Sequence, residues 1–229
     1  MDIKLHYIEQ GSGEPLILLH GNGEDSGYFA SQISFFSSSY RVIAVDTRGH
    51  GKSPRGVGPF TLDRFSDDLK SFLDELSIDK AVILGFSDGA NIALLFTLKY
   101  PEYVSRLILN GATLRPSGVT LSLWLRINAA AAKTALSHKT DPASVRKREL
   151  LRLMTREPHI SKRELSSVSV PTLVIAGDSD MIRGRHTKSI GRGIPGSRTV
   201  IIPGTHFIAR DSSEEFNRQV NDFLLTCGS

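Results

Sequence analysis

The residues best suited to chemistry lie around Ser87, in the run Gly85-Phe86-Ser87-Asp88-Gly89. The pattern G-x-S-x-G, set between the apolar run Ala81–Phe86 and a helix-like segment, describes a sharp strand-to-helix turn from which a serine hydroxyl projects. A hydroxyl is a weak nucleophile at neutral pH, so it requires a base, and the base requires an acid that holds its tautomer and stabilises the imidazolium. Among seven histidines, His206 follows the apolar run Thr199–Ile202 in Pro203-Gly204-Thr205-His206. That is the carboxyl end of a strand, where catalytic groups gather in parallel sheets. His20 and His50 sit in glycine turns and read as loop-fixing groups, His138 and His159 fall in the middle of the chain, and His6 and His186 carry no motif. For the acid, Asp178 and Asp180 both follow the strand-like run that begins at Thr172. Asp180 is preferred, because Asp178 directly after Gly177 suits an Asx-type hydrogen bond within the turn. The preceding strand ends in Asn110 and offers no carboxylate.

Attack by serine on a carbonyl places negative charge on its oxygen, which needs hydrogen-bond donors. His20-Gly21-Asn22-Gly23 follows the apolar run Leu16–Leu19, so the backbone N–H of Asn22 is expected to join that of Asp88 as an oxyanion hole. Without the serine motif this segment would read as a tight strand-end turn. Gly51-Lys52-Ser53 resembles the end of a phosphate-binding loop, but the pattern requires glycine where the chain has Asp46, and Pro54 obstructs the helix that should follow.

These groups need a scaffold that brings strand ends to one rim. Strands are expected at Ile3–Ile8, Leu16–His20, Arg41–Asp46, Ala81–Phe86, Val104–Asn110, Thr172–Ala176 and Thr199–Ile202. Helical patterns fill 26–37, 61–77, 88–99, 185–192 and 212–225. The alternation predicts an α/β fold with a mostly parallel central sheet flanked by helices. It breaks between Leu114 and Val168, where no strand-like run occurs. Residues 1–113 and 169–229 are therefore expected to form the core, and 114–168 a short helical cap. Inside that insertion, Leu121 to Leu136 reads as one helix carrying Trp124, a candidate substrate contact. Asp141-Pro142 opens a second helix, and Ser161 with Glu164 has the spacing of a capping box for a third.

Together these segments resemble the α/β-hydrolase family over nearly the whole chain. The order Ser87, Asp180, His206 is that family's order, and Asp46-Thr47-Arg48-Gly49-His50-Gly51-Lys52-Ser53 is similar to its D-x-R-G-x-G-x-S turn. Val170-Pro171-Thr172-Leu173 is similar to the segment entering its acid-bearing strand. The resemblance implies cap helices inserted after the sixth family strand, and cofactor-free hydrolysis through an acyl-enzyme. The chain starts at what resembles the family's second strand, which leaves the sheet edge open, and its cap is short, which implies an open pocket for small or variable acyl groups. Asp88 after the nucleophile is also similar to biphenyl hydrolase-like enzymes that cleave amino-acid esters, a cationic class that the basic cap disfavours. Epoxide hydrolases and dehalogenases of this fold use aspartate where the chain has Ser87.

Composition bounds the alternatives. The chain has 229 residues, 40% hydrophobic and 23% charged, with a net charge of +4, as expected for one packed domain. The basic excess lies in residues 114–166, with 11 Lys/Arg against 4 Asp/Glu. In a helical pattern such charge usually forms a solvated face, so no nucleic-acid partner is expected. No apolar run has the length of a membrane span or a signal peptide, and a cytoplasmic location without a membrane partner is expected. The single Cys227 has no partner thiol and reads as incidental, and no metal site is expected. The leading expectation is a carboxylic-ester hydrolase acting on small uncharged or anionic esters. Lactone or carbon–carbon bond hydrolysis, perhydrolysis, and a ligand receptor with residual hydrolysis are the alternatives.

Overall fold

In the computed structural model, which describes residues 2–226, seven strands form one sheet in the order β1-β3-β2-β4-β5-β6-β7. The strands are β1 (Tyr7–Gln10), β2 (Pro15–Leu19), β3 (Arg41–Val45), β4 (Ala81–Phe86), β5 (Val104–Asn110), β6 (Thr172–Gly177) and β7 (Arg198–Ile202). All neighbours pair in parallel except β1, which runs antiparallel to β3 and forms the edge. Cys227 lies outside the described residues.

The strand sequences explain the two-sided burial. Leu16 and Leu18 of β2 pack with Val42, Ala44, Val82 and Leu84 in one apolar layer, while Ile17, Ile43, Val45 and Ile83 face the other. The strand period of two thus sends consecutive aliphatic side chains to opposite layers, which is why these runs are continuously apolar. Helices α2 (Leu62–Glu75) and α3 (Asp88–Lys99) cover one face with Phe65, Leu69, Phe72, Ala90 and Leu94. Helices α1 (Ala30–Phe36) and α9 (Ser213–Thr226) cover the other with Ile33, Phe36, Phe216 and Val220. Each fully buried aliphatic or aromatic side chain contributes about 1.5–3 kcal/mol.

Between β5 and β6 lie α4 (Leu121–Ala135), α5 (Pro142–Arg156) and α6 (Lys162–Leu165). Asp141 caps α5 by accepting from the Ser144 amide at 3.0 Å. Ser161 and Glu164 form the reciprocal capping box on α6. The helix α7 (Gly184–Gly193) follows β6, and α8 (Ile208–Asp211) precedes α9.

Three elements depart from the sequence expectation. The first strand begins at Tyr7 and not Ile3, because Ser53 Oγ takes the His6 amide at 2.8 Å and the His6 ring binds Asp46, so the ladder forms only beyond them. The segment at 26–37 opens with a 3₁₀ turn, Ser26–Phe29, capped by Asp25. The helix expected at 212–225 is preceded by a further short helix, Ile208–Asp211, and Ser212 between the two donates its hydroxyl to the Pro203 carbonyl at 3.2 Å.

Candidate active site

Ser87 caps α3 with φ +54° and ψ −118° and makes no side-chain capping bond. Only Ser77 shares a positive φ among the described residues other than glycine. A residue held there stores about 1–3 kcal/mol of strain, which the surrounding structure must over-determine. Two contacts do so. The Ser87 amide donates to the Asn110 carbonyl at 2.8 Å, joining the turn to β5. Gly89 lies against the end of β2, where a Cβ would overlap the Leu19 carbonyl oxygen.

The other two members of the expected triad lie in adjacent loops. His206, 4% exposed, follows β7, and its Nδ1 lies 2.8 Å from Asp180 Oδ1. Because a carboxylate only accepts, Nδ1 carries the proton and Nε2 is the nitrogen left for exchange. Asp180 Oδ1 also accepts from the Ile182 amide at 2.7 Å. Its Oδ2 is buried without a hydrogen-bond partner among the described residues. Asp178 plays a different part. Its Oδ1 accepts from the Gly204 amide at 3.1 Å and from the Ser179 hydroxyl at 3.0 Å, tying the β6 turn to the loop that carries His206.

Among the described residues no hydrogen bond joins the Ser87 hydroxyl to His206, and the two are related only through neighbouring residues at the rim. The His206 ring packs against Phe86, the residue before Ser87, with centroids 4.9 Å apart. On the other side it faces Gly111, which follows the Asn110 that binds the Ser87 amide; a Cβ on Gly111 would stand 2.6 Å from His206 Cε1. Gly111, at φ +66°, therefore leaves room for the imidazole, a role that sequence reasoning did not find. Its one local signal is the Asn-Gly pair at a strand end.

Asn22 and Asp88 meet across the opposite edge. Asn22 Nδ2 donates to Asp88 Oδ2 at 2.8 Å, and Asn91 Nδ2 donates to Oδ1 at 3.3 Å. Burial raises the Asp88 pKa, partly offset by these amide donors. The backbone N–H groups of Asn22 and Asp88 have no acceptor among the described residues. Beneath them, His20 is fixed as expected: Nδ1–H donates to the Gly21 carbonyl at 2.8 Å, and Nε2 accepts from the Thr47 amide at 3.0 Å. Burial holds the His20 pKa down and lowers that of His50 to about 3. The Asp46–Ser53 turn is closed by Asp46, which accepts from the amides of Ser26 and Lys52. In the same turn the fully buried Arg48 is paired with Asp68 and Asp2.

The helix α5 is tied to this floor at two points. Asn22 Nδ2 also donates to the Leu150 carbonyl at 3.3 Å, and Arg55 holds Glu149 at 2.6 Å. Trp124 lies half-buried on α4 and is not among the residues lining the cavity beside Asn22. A separate cavity of about 610 Å³ between α4 and α5 touches none of Ser87, Asp180 or His206. Among the described residues no group of three His, Cys, Asp or Glu side chains is placed to hold a metal ion, and no helix is long and apolar enough to cross a membrane.

Comparison with known proteins agrees with this architecture. The profile of the alpha/beta hydrolase fold family matches residues 14–153. The serine hydrolase BPHL of Homo sapiens is 27% identical over 244 residues, covering 97% of this chain and 83% of that protein. A thermophilic esterase from Thermogutta terrifontis superposes with a TM-score of 0.82 at 23% identity, over 99% of this chain and 95% of the other. The enol-lactonase from Burkholderia xenovorans LB400 gives 0.81 at 22% identity, over 97% of each chain. At these identities the two structures speak for the fold alone. The chain belongs to the α/β-hydrolase fold family, and the three relatives are hydrolases.

Proposed function

We propose that the protein is a serine hydrolase acting on carboxylic esters, with Ser87 as nucleophile, His206 as base and Asp180 as the acid that orients it. The observation that carries this reading is the 2.8 Å bond from His206 Nδ1 to Asp180 Oδ1, made beside a serine held in a strained turn. Ser87 Oγ attacks the ester carbonyl as His206 Nε2 takes its proton. The resulting oxyanion lies between the Asn22 and Asp88 amides, donors already free of competing acceptors. Collapse expels the alcohol, which takes the proton from His206, and leaves an acyl group on Ser87. Water then attacks the acyl carbon with His206 again as base, releasing the acid and restoring the serine. Asp180 holds the imidazole in the tautomer that leaves Nε2 free and stabilises the imidazolium as it forms. Residues 114–168 act as the cap over this site, held by the Asn22 and Arg55 ties.

Purified protein is expected to release p-nitrophenol from p-nitrophenyl butyrate, and Ser87→Ala to lose at least about a thousandfold in kcat. Equal rates for the two proteins would reject the reading.

A further inference from the structure

A cleft of about 550 Å³ lies between α5 and the loop after β2, lined by Asn22, Arg146, Lys147, Leu150, Leu151 and Met154 among others. Its size falls within the usual span for small-molecule sites. Asn22 lines this cleft and also supplies one of the two amides of the expected oxyanion position, so the cleft adjoins that position, although Ser87, Asp88, Asp180 and His206 are not among its lining residues. Arg146, Leu150 and Met154 are spaced by four and share one helical face. That face therefore presents cations near the start of α5 and apolar side chains further along it.

Neither Arg146 nor Lys147 has a carboxylate partner among the described residues, whereas Arg55 on the facing loop is bound to Glu149. The charge of Arg146 also reaches His20 and His50, where it disfavours protonation. Of the acids around the oxyanion position, Asp88 has each of its oxygens engaged by an amide, from Asn22 and from Asn91, and burial raises the pKa of Glu24, whose Oε2 lies beside Gly21.

We infer that this cleft selects esters that carry a carboxylate of their own, held by Arg146 and Lys147 while the scissile carbonyl lies against the Asn22 and Asp88 amides. The inference rests on the ester-hydrolase reading above. Arg146 and Lys147 are exposed, and an arginine facing a carboxylate gives a charge-assisted bond that a neutral acyl chain cannot replace.

The test compares kcat/KM for p-nitrophenyl butyrate, mono-p-nitrophenyl glutarate, 4-acetoxybenzoate and the p-nitrophenyl ester of 4-(trimethylammonio)butyrate. The second probe places a carboxylate in the acyl half, the third in the leaving group, and the fourth carries a cation. A carboxylate probe should exceed the neutral ester. That preference should fall about tenfold in Arg146→Ala and invert in favour of the cationic ester in Arg146→Glu. A cationic preference in the wild type, or anionic-to-neutral ratios unchanged in Arg146→Ala, Lys147→Ala and Arg146→Glu, would overturn it. If no ester is turned over, the hydrolase reading fails, and calorimetric titration with monomethyl glutarate still decides the cleft. Binding weakened by Arg146→Ala supports it, and binding absent or indifferent to that change refutes it.

Discussion

Asp180 and Asp178 leave the same strand two residues apart, yet only Asp180 reaches His206, at 2.8 Å, while Asp178 holds the Gly204 amide at 3.1 Å. In the proposed mechanism one fixes the imidazole and the other fixes the loop that carries it. Asp180→Asn presents an amide that can donate to Nδ1 and so reverses the histidine tautomer. Its kcat should fall by about 10³–10⁴. Asp178→Asn should lose less than about tenfold, because its contacts are to backbone and hydroxyl donors. Steady-state kinetics on p-nitrophenyl butyrate checks both, and comparable losses would misassign the acid.

The strain at Ser87 should be measurable as stability. Glycine accepts φ +54° without the side-chain penalty, so Ser87→Gly should be more stable than Ser87→Ala by about 1 kcal/mol. That corresponds to roughly 2–4 °C in Tm for a chain of this size. Calorimetric melting of the two inactive variants makes the comparison, and an equal or higher Tm for the alanine variant would show that the turn is relaxed.

Asn22 joins the Ser87 turn to α5 through Asp88 and Leu150. Replacing it by alanine keeps the backbone N–H and removes both ties, leaving an Asp88 oxygen unsatisfied. Asn22→Ala should cost about 1–2 kcal/mol of stability and loosen α5, with a moderate rise in KM and no abolition of kcat. Urea unfolding and kinetics test this, and complete loss of turnover in a folded variant would assign the side chain itself to the chemistry.

Much of this arrangement is legible in the sequence because it depends on local rules. The turn around Ser87 requires glycines, the caps at Asp141 and Ser161 declare their helices, and Asp178 beside Gly177 reads as turn chemistry. The apolar pattern near the N-terminus does not locate the start of the first strand, since that start is set by His6 binding Ser53 and Asp46, partners 47 and 40 residues away. Gly111 and the Asn22 tie to Leu150 were invisible for the same reason. Their meaning arises only where strands and loops distant in sequence meet at the rim.

Acid should weaken the fold through its buried histidines. His186 accepts the Leu114 amide on Nε2 at 2.9 Å, which holds the entry to the α4–α6 segment, and its pKa is lowered to about 4, by burial first and then by Arg115 and Arg183. Burial lowers that of His50 to about 3. Both are neutral in the fold, while an unfolded chain protonates them near pH 6.5. Their stabilisation is therefore complete above about pH 6.5 and is lost as pH falls through the interval down to the folded values. The loss is up to about 3 kcal/mol for His186 and about 5 kcal/mol for His50. His186→Gln should be less stable than the wild type at pH 7.5 but should decline less between pH 6.5 and about 4. Urea midpoints across that range decide, and parallel declines would remove His186 from the explanation.

The nucleophile itself is tested most directly by covalent capture. Diethyl p-nitrophenyl phosphate offered to the wild type should add one diethylphosphoryl group, found by intact mass and mapped by peptide sequencing to Ser87. The adduct should be absent from Ser87→Ala and form far more slowly in His206→Ala. An adduct on another residue, or the same mass gain in Ser87→Ala, would contradict Ser87 as the attacking group.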